Sequence, residues 1–144
     1  MKDNTHAVLT RPVKIRGKIR KIEAEIEALR LSVLPGAIRY DKDSVQGGKT
    51  TDPMSVFASK LDELERKLGN LRLQYLDAQE TITQLTSQLE DPEDVIITLR
   101  FLSGLSMEDV AVKISMSRAQ TYRHYSKAIK KLDDVCENLY IVNQ

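Results

Sequence analysis

The chain has 144 residues, with 22 Lys and Arg against 21 Asp and Glu, a net charge of +1, no Trp and only two Phe. With 30% charged residues and little glycine, this is helix-bundle rather than sheet composition, and the single Cys136 excludes an intrachain disulfide framework. No apolar run approaches the ~20 residues that span a bilayer, and the N-terminus lacks a signal-peptide pattern, so a cytoplasmic protein without a membrane partner is expected.

The first element is a seam of Ile15, Ile19, Ile22, Ile26, Leu29 and Val33, alternating spacings of four and three up to Leu34-Pro35-Gly36. That rhythm is an apolar stripe on a coiled-coil helix. Residues 35–51 are long for a helix–helix connection, and Asp41-Lys42-Asp43-Ser44 and Gly47-Gly48-Lys49-Thr50 predict a mobile loop. Gly48-Lys49-Thr50 mimics the end of a phosphate-binding loop, but the required first glycine falls on Asp43 and no strand precedes it.

A second seam follows: Phe57, Leu61, Leu64, Leu68, Leu71, Tyr75, Ala78, Ile82, Leu85 and Leu89. It predicts one helix of about 33 residues, roughly 50 Å long, opened by Asp52-Pro53 as cap and first helical residue. The two seams are mutual partners by pattern, and Gly17 and Gly69 each cost such a helix up to about 1 kcal/mol. Leu73 and Leu76 lie off the stripe, and the longer seam exceeds what the shorter can cover. The excess predicts burial between chains, with a dimer as the favoured homo-oligomer.

Charge is partitioned along this arm. Arg11 to Ile22 holds six bases and no acid, whereas Lys60 to Asp94 holds nine acids against four bases. The basic helix either faces the acidic one through flanking charges or makes a second nucleic-acid contact.

The C-terminal region is punctuated by caps. Asp91-Pro92 predicts another cap-plus-proline start for a helix from Pro92 to Leu102, stopped by Ser103-Gly104. Ser106-Met107-Glu108-Asp109 and Ser117-Arg118-Ala119-Gln120 each place an acid or amide three residues after a serine, and only about two helical turns fit between them. A third helix is expected from Arg118 to Leu139. Val95, Leu99, Leu102, Leu105, Val110, Ala111, Ile114 and Met116 supply a three-helix core, and Cys136 is expected to pack as a small hydrophobe on the third helix.

From Val110 to Leu132 there are six bases (Lys113, Arg118, Arg123, Lys127, Lys130 and Lys131) and no acid. On a helical wheel Ala119, Arg123, Lys127 and Lys130 lie opposite Tyr125, Ala128 and Leu132, so the outer face presents cations where a phosphate backbone would be met.

At these residues a family resemblance appears. Asp94 to Leu132 resembles the last DNA-binding region of bacterial sigma factors in its Leu-Arg-Phe, its Glu-Asp-Val-Ala, its Ser-Arg turn and its closing Lys-Ala-Ile-Lys-Lys-Leu. The whole chain is similar to the phage late-transcription regulators of the ArpU/RinA-like group. The resemblance implies that Arg118, Ala119, Tyr122 and Arg123 read bases of double-stranded DNA, with Lys113, Ser117, Lys127 and Lys130 on phosphates. Ala119 stands where sigma factors carry an acid that can accept from cytosine, so their base preference does not transfer. Thr121 and His124 stand where such helices carry aliphatic residues, which leaves open a rotation that buries Tyr122 and Tyr125 instead. Ser115 replaces a glycine common at that turn.

No catalytic or metal constellation stands out, since His6 and His124 are isolated and Cys136 has no paired histidine. The expectation is an all-α, non-enzymatic regulator without a cofactor. A long coiled-coil helical hairpin (1–90) precedes a three-helix helix-turn-helix headpiece (91–144). The alternatives are a small terminase-like DNA-packaging subunit and a coiled-coil adaptor that binds RNA polymerase.

Overall fold

A computed structural model describes residues 1–33 and 52–142, with side chains through residue 138. Among these residues are five α-helices: α1 (Asp3–Ser32), α2 (Pro53–Thr86), α3 (Glu93–Ile97), α4 (Met107–Lys113) and α5 (Arg118–Val142). A π-helical stretch, Thr98–Leu102, continues α3. No strand occurs among the described residues, as the all-α reading requires, and none of these helices is long and apolar enough to cross a membrane. The expected loop at 35–51, with Gly48-Lys49-Thr50, lies outside the described residues.

α1 starts well before Ile15. Its heptad row continues upstream through Pro12 and Thr5, with Leu9 beside it, and all three are fully buried. Proline inside a helix removes a backbone hydrogen bond, and burial of its ring offsets that loss. α2 opens as its sequence predicts: Met54 N–H donates to Asp52 Oδ1 at 3.1 Å, with Pro53 as the first helical residue.

The second Asp-Pro pair behaves differently, which corrects the capping expectation at Asp91. Pro92 takes the N-cap place and α3 begins at Glu93. Of the amides that an Asp91 cap would take, that of Asp94 is already satisfied. Asp94 N–H donates to the Glu90 carbonyl (3.2 Å), Val95 N–H to Asp94 Oδ1 (2.8 Å) and Ile96 N–H to the Pro92 carbonyl (3.0 Å).

By its internal contacts the chain divides into two compact units, residues 1–16 with 74–144 and residues 17–73, whereas the seams and caps of the sequence divide it at 90/91. In the 17–73 unit the α1 and α2 segments run antiparallel, with Arg30 paired to Glu65 (3.4 Å) and Arg72 to Glu23 (3.9 Å). Ile26 and Leu68 are buried there and the neighbouring seam positions half-buried.

In the other unit, Ala78, Ile82, Leu85 and Leu89 of the long seam are buried. Ile82, Leu85 and Leu89 belong to one core with Leu9 of α1, Ile97, Phe101, and Ala128, Ile129, Leu132 and Cys136 of α5. The surplus apolar length thus finds cover within the chain, which corrects the inference that it must be buried between chains. A smaller cluster of Ile96, Met107 and Val110 seats α3 against α4. Val95, expected in the core, is 38% exposed, because starting the helix at Glu93 turns Ile96 and Ile97 inward instead. Arg16 crosses from α1 to this core, donating to the Leu102 carbonyl at 3.1 Å and to the Tyr75 hydroxyl.

Candidate nucleic-acid interface

Two tight chain reversals set the α4 and α5 geometry. α3 and its π-helical extension end at Gly104, whose φ of +72° needs a residue without Cβ, and Leu105 N–H closes the turn on the Leu99 carbonyl at 3.1 Å. Ser106 Oγ then accepts from Asp109 N–H at 3.2 Å to start α4. α4 ends in a Schellman motif. Met116 N–H reaches the Ala111 carbonyl (3.0 Å) and Ser115 N–H the Val112 carbonyl (3.2 Å), with Ser115 itself at φ +58°. Ser117 Oγ accepts from Gln120 N–H at 3.2 Å and starts α5.

α5 is two-faced. Ala128, Ile129, Leu132 and Cys136 are buried, and burial pushes the Cys136 thiol above its ordinary pKa, as befits a packing residue. Thr121 is also fully buried, its hydroxyl donating to the Ser117 carbonyl at 2.8 Å. This closes the alternative rotation: Tyr122 stays on the surface, 38% exposed, and Tyr125 is half-buried.

The opposite face carries Ala119, Arg123, Lys127 and Lys130, all exposed. None of the three cations makes an ion pair among the described residues. Lys113 is exposed in the last turn of α4, and the Ser117 hydroxyl, an acceptor in its cap, still has its proton to donate.

Two members of the basic run are not free. Arg118 pairs with Glu108 of α4 at 3.1 Å, its guanidinium 5.7 Å above the Tyr122 ring. Lys131 turns to Glu93 at 2.8 Å, and that hydrogen bond raises the lysine pKa. Neither contact has a local sequence signal, because both join residues brought together only by the crossing of helices.

The exposed aromatic is tied to the core through ring contacts. Tyr122 meets Tyr125 edge-on at 6.5 Å, and Tyr125 stacks on Phe101 at 6.4 Å. Burial raises the Tyr125 pKa, opposed by the charge of Arg100. The start of α5 is therefore a surface of exposed cations and one anchored ring on a capped helix.

The family model for ECF sigma factors matches residues 34–138. The chain belongs to the ECF sigma factor family. No curated protein and no solved structure matches the chain. The match includes α2 through α4 and α5 as far as residue 138, so the surface just described lies within the ECF sigma factor region and falls among proteins that bind DNA and regulate transcription.

Proposed function

We propose that this ECF sigma factor-like protein is a sequence-specific, double-stranded-DNA-binding regulator of transcription, phage or prophage encoded and akin to the ArpU/RinA-like group. In this reading α4, its turn and α5 form a helix-turn-helix, and the first turns of α5 enter the major groove. Arg118, Tyr122 and Arg123 face base edges, with the Ala119 methyl beside them; Lys113, Ser117, Lys127 and Lys130 hold phosphates. The observation that carries it is the row Arg123, Lys127 and Lys130, exposed and without ion pairs, on a helix whose other face is core. Retention on duplex DNA that falls steeply with salt tests it. Retention by RNA polymerase with none by duplex would favour the adaptor reading.

Homodimerisation is part of the proposal, supported by Leu73 and Leu76, which remain 67% and 60% exposed on α2. Light scattering at micromolar concentration should give twice the chain mass, and a monomer would remove this part.

A further inference from the structure

Glu108 and Arg118 occupy the first turns of consecutive helices, and their side chains meet at 3.1 Å with 56% and 69% of each exposed. An ion pair this open contributes little to stability. Its position carries more. Arg118 is the first residue of α5, where the helix dipole disfavours a cation, and no acid of that helix turn is present to offset it. The carboxylate of Glu108 supplies the offset from α4 and, with the Tyr122 ring 5.7 Å from the guanidinium on another side, confines a side chain that would otherwise be mobile.

A confined guanidinium and a free one act differently beside a polyanion. Lys127 and Lys130 carry uncompensated charge and attract any phosphate, whereas the charge of Arg118 is cancelled at a distance by its neighbour. Its fork has five donors, more than one carboxylate oxygen occupies, so donors remain for the paired acceptors of a base edge.

Resting on the DNA-binding reading above, we propose that Glu108 is a specificity-determining positioning residue. It holds Arg118 for a base edge and withholds it from phosphates, so sequence preference is gained at the expense of general DNA affinity.

The test compares wild type, Glu108→Gln, Arg118→Ala and the double variant on two duplexes of equal length, one recovered by selection from a random pool with the wild-type protein and one scrambled. Affinities are measured from 50 to 200 mM salt, and helical content is checked by circular dichroism. Glu108→Gln should bind the scrambled duplex more tightly, with a salt slope steeper by about one, and its preference for the selected duplex should fall about fivefold. In the Arg118→Ala background the same change should leave the remaining preference unaltered. A Glu108→Gln protein that keeps its preference within about twofold overturns the inference, as does an equal loss of affinity on both duplexes. A wild-type chain that enriches no sequence at all overturns the DNA-reading function itself.

Discussion

Lys131 Nζ lies 2.8 Å from Glu93 Oε2, and the carboxylate it reaches is only 8% exposed while the lysine is half in solvent. The most buried acid of the α3 region is thus compensated by a cation from the basic run of α5, which fixes α3 on α5 and removes Lys131 from the row of unpaired cations. Truncating the lysine strands a buried carboxylate, whereas removing both charges does not. Lys131→Met should therefore lower the melting temperature clearly, and Glu93→Gln with Lys131→Met should recover most of the loss. The pH dependence has a definite sign: because the folded lysine pKa is raised, its stabilisation is complete below about 10.5 and is lost as pH climbs through the folded value. Wild type should lose this increment in an alkaline melting series and Lys131→Met should not.

Gly17 and Gly69 sit inside α1 and α2 with open space around an added Cβ. Neither makes a turn or close approach that needs glycine, so each carries only the entropic cost of its freedom. Gly17→Ala and Gly69→Ala should each raise stability by about 1 kcal/mol in urea unfolding, without a change in DNA binding.

The two positive-φ positions should respond oppositely. Ser115 holds φ +58° with a Cβ, so Ser115→Gly relieves left-handed strain, less the extra freedom of the unfolded chain, for a net gain of about 0.5–1 kcal/mol. Gly104→Ala places a Cβ 3.7 Å from Arg16 Nη1, an ordinary contact, so its loss of about 1–2 kcal/mol is conformational rather than steric. Chemical denaturation of both variants checks the pair of signs.

What the sequence made legible was local. Caps at Asp52, Ser106 and Ser117 bond amides two or three residues away, and the heptad rows name the inward side of α1 and α2 because periodicity survives any tertiary arrangement. The outward placing of Arg123, Lys127 and Lys130 followed from the same periodicity. Where a partner from elsewhere in the chain decided the outcome, the sequence was silent. Asp91 repeats the Asp-Pro pattern of Asp52, but the Glu90 carbonyl already accepts from Asp94 N–H, an amide the cap would have taken. The start of α1 has no apolar signal at Thr5 and Pro12, which do not count as apolar in a heptad although both are fully buried. The cover over Ile82, Leu85 and Leu89 comes in part from Leu9, Ala128, Ile129 and Leu132, a long-range closure that no window of sequence displays.

The outer face of α5 carries the proposed function, and the most direct measurement of it is the affinity of Arg123→Ala and Lys130→Ala for a selected and a scrambled duplex across a salt series. Arg123 lies near the start of the helix and Lys130 further along, both exposed and without ion pairs among the described residues. Arg123→Ala should cost about 1–3 kcal/mol on the selected duplex and blunt its advantage, whereas Lys130→Ala should weaken both duplexes alike and reduce the salt slope by about one. Equal losses on both duplexes from both variants, or wild-type binding that does not respond to salt, would contradict the account.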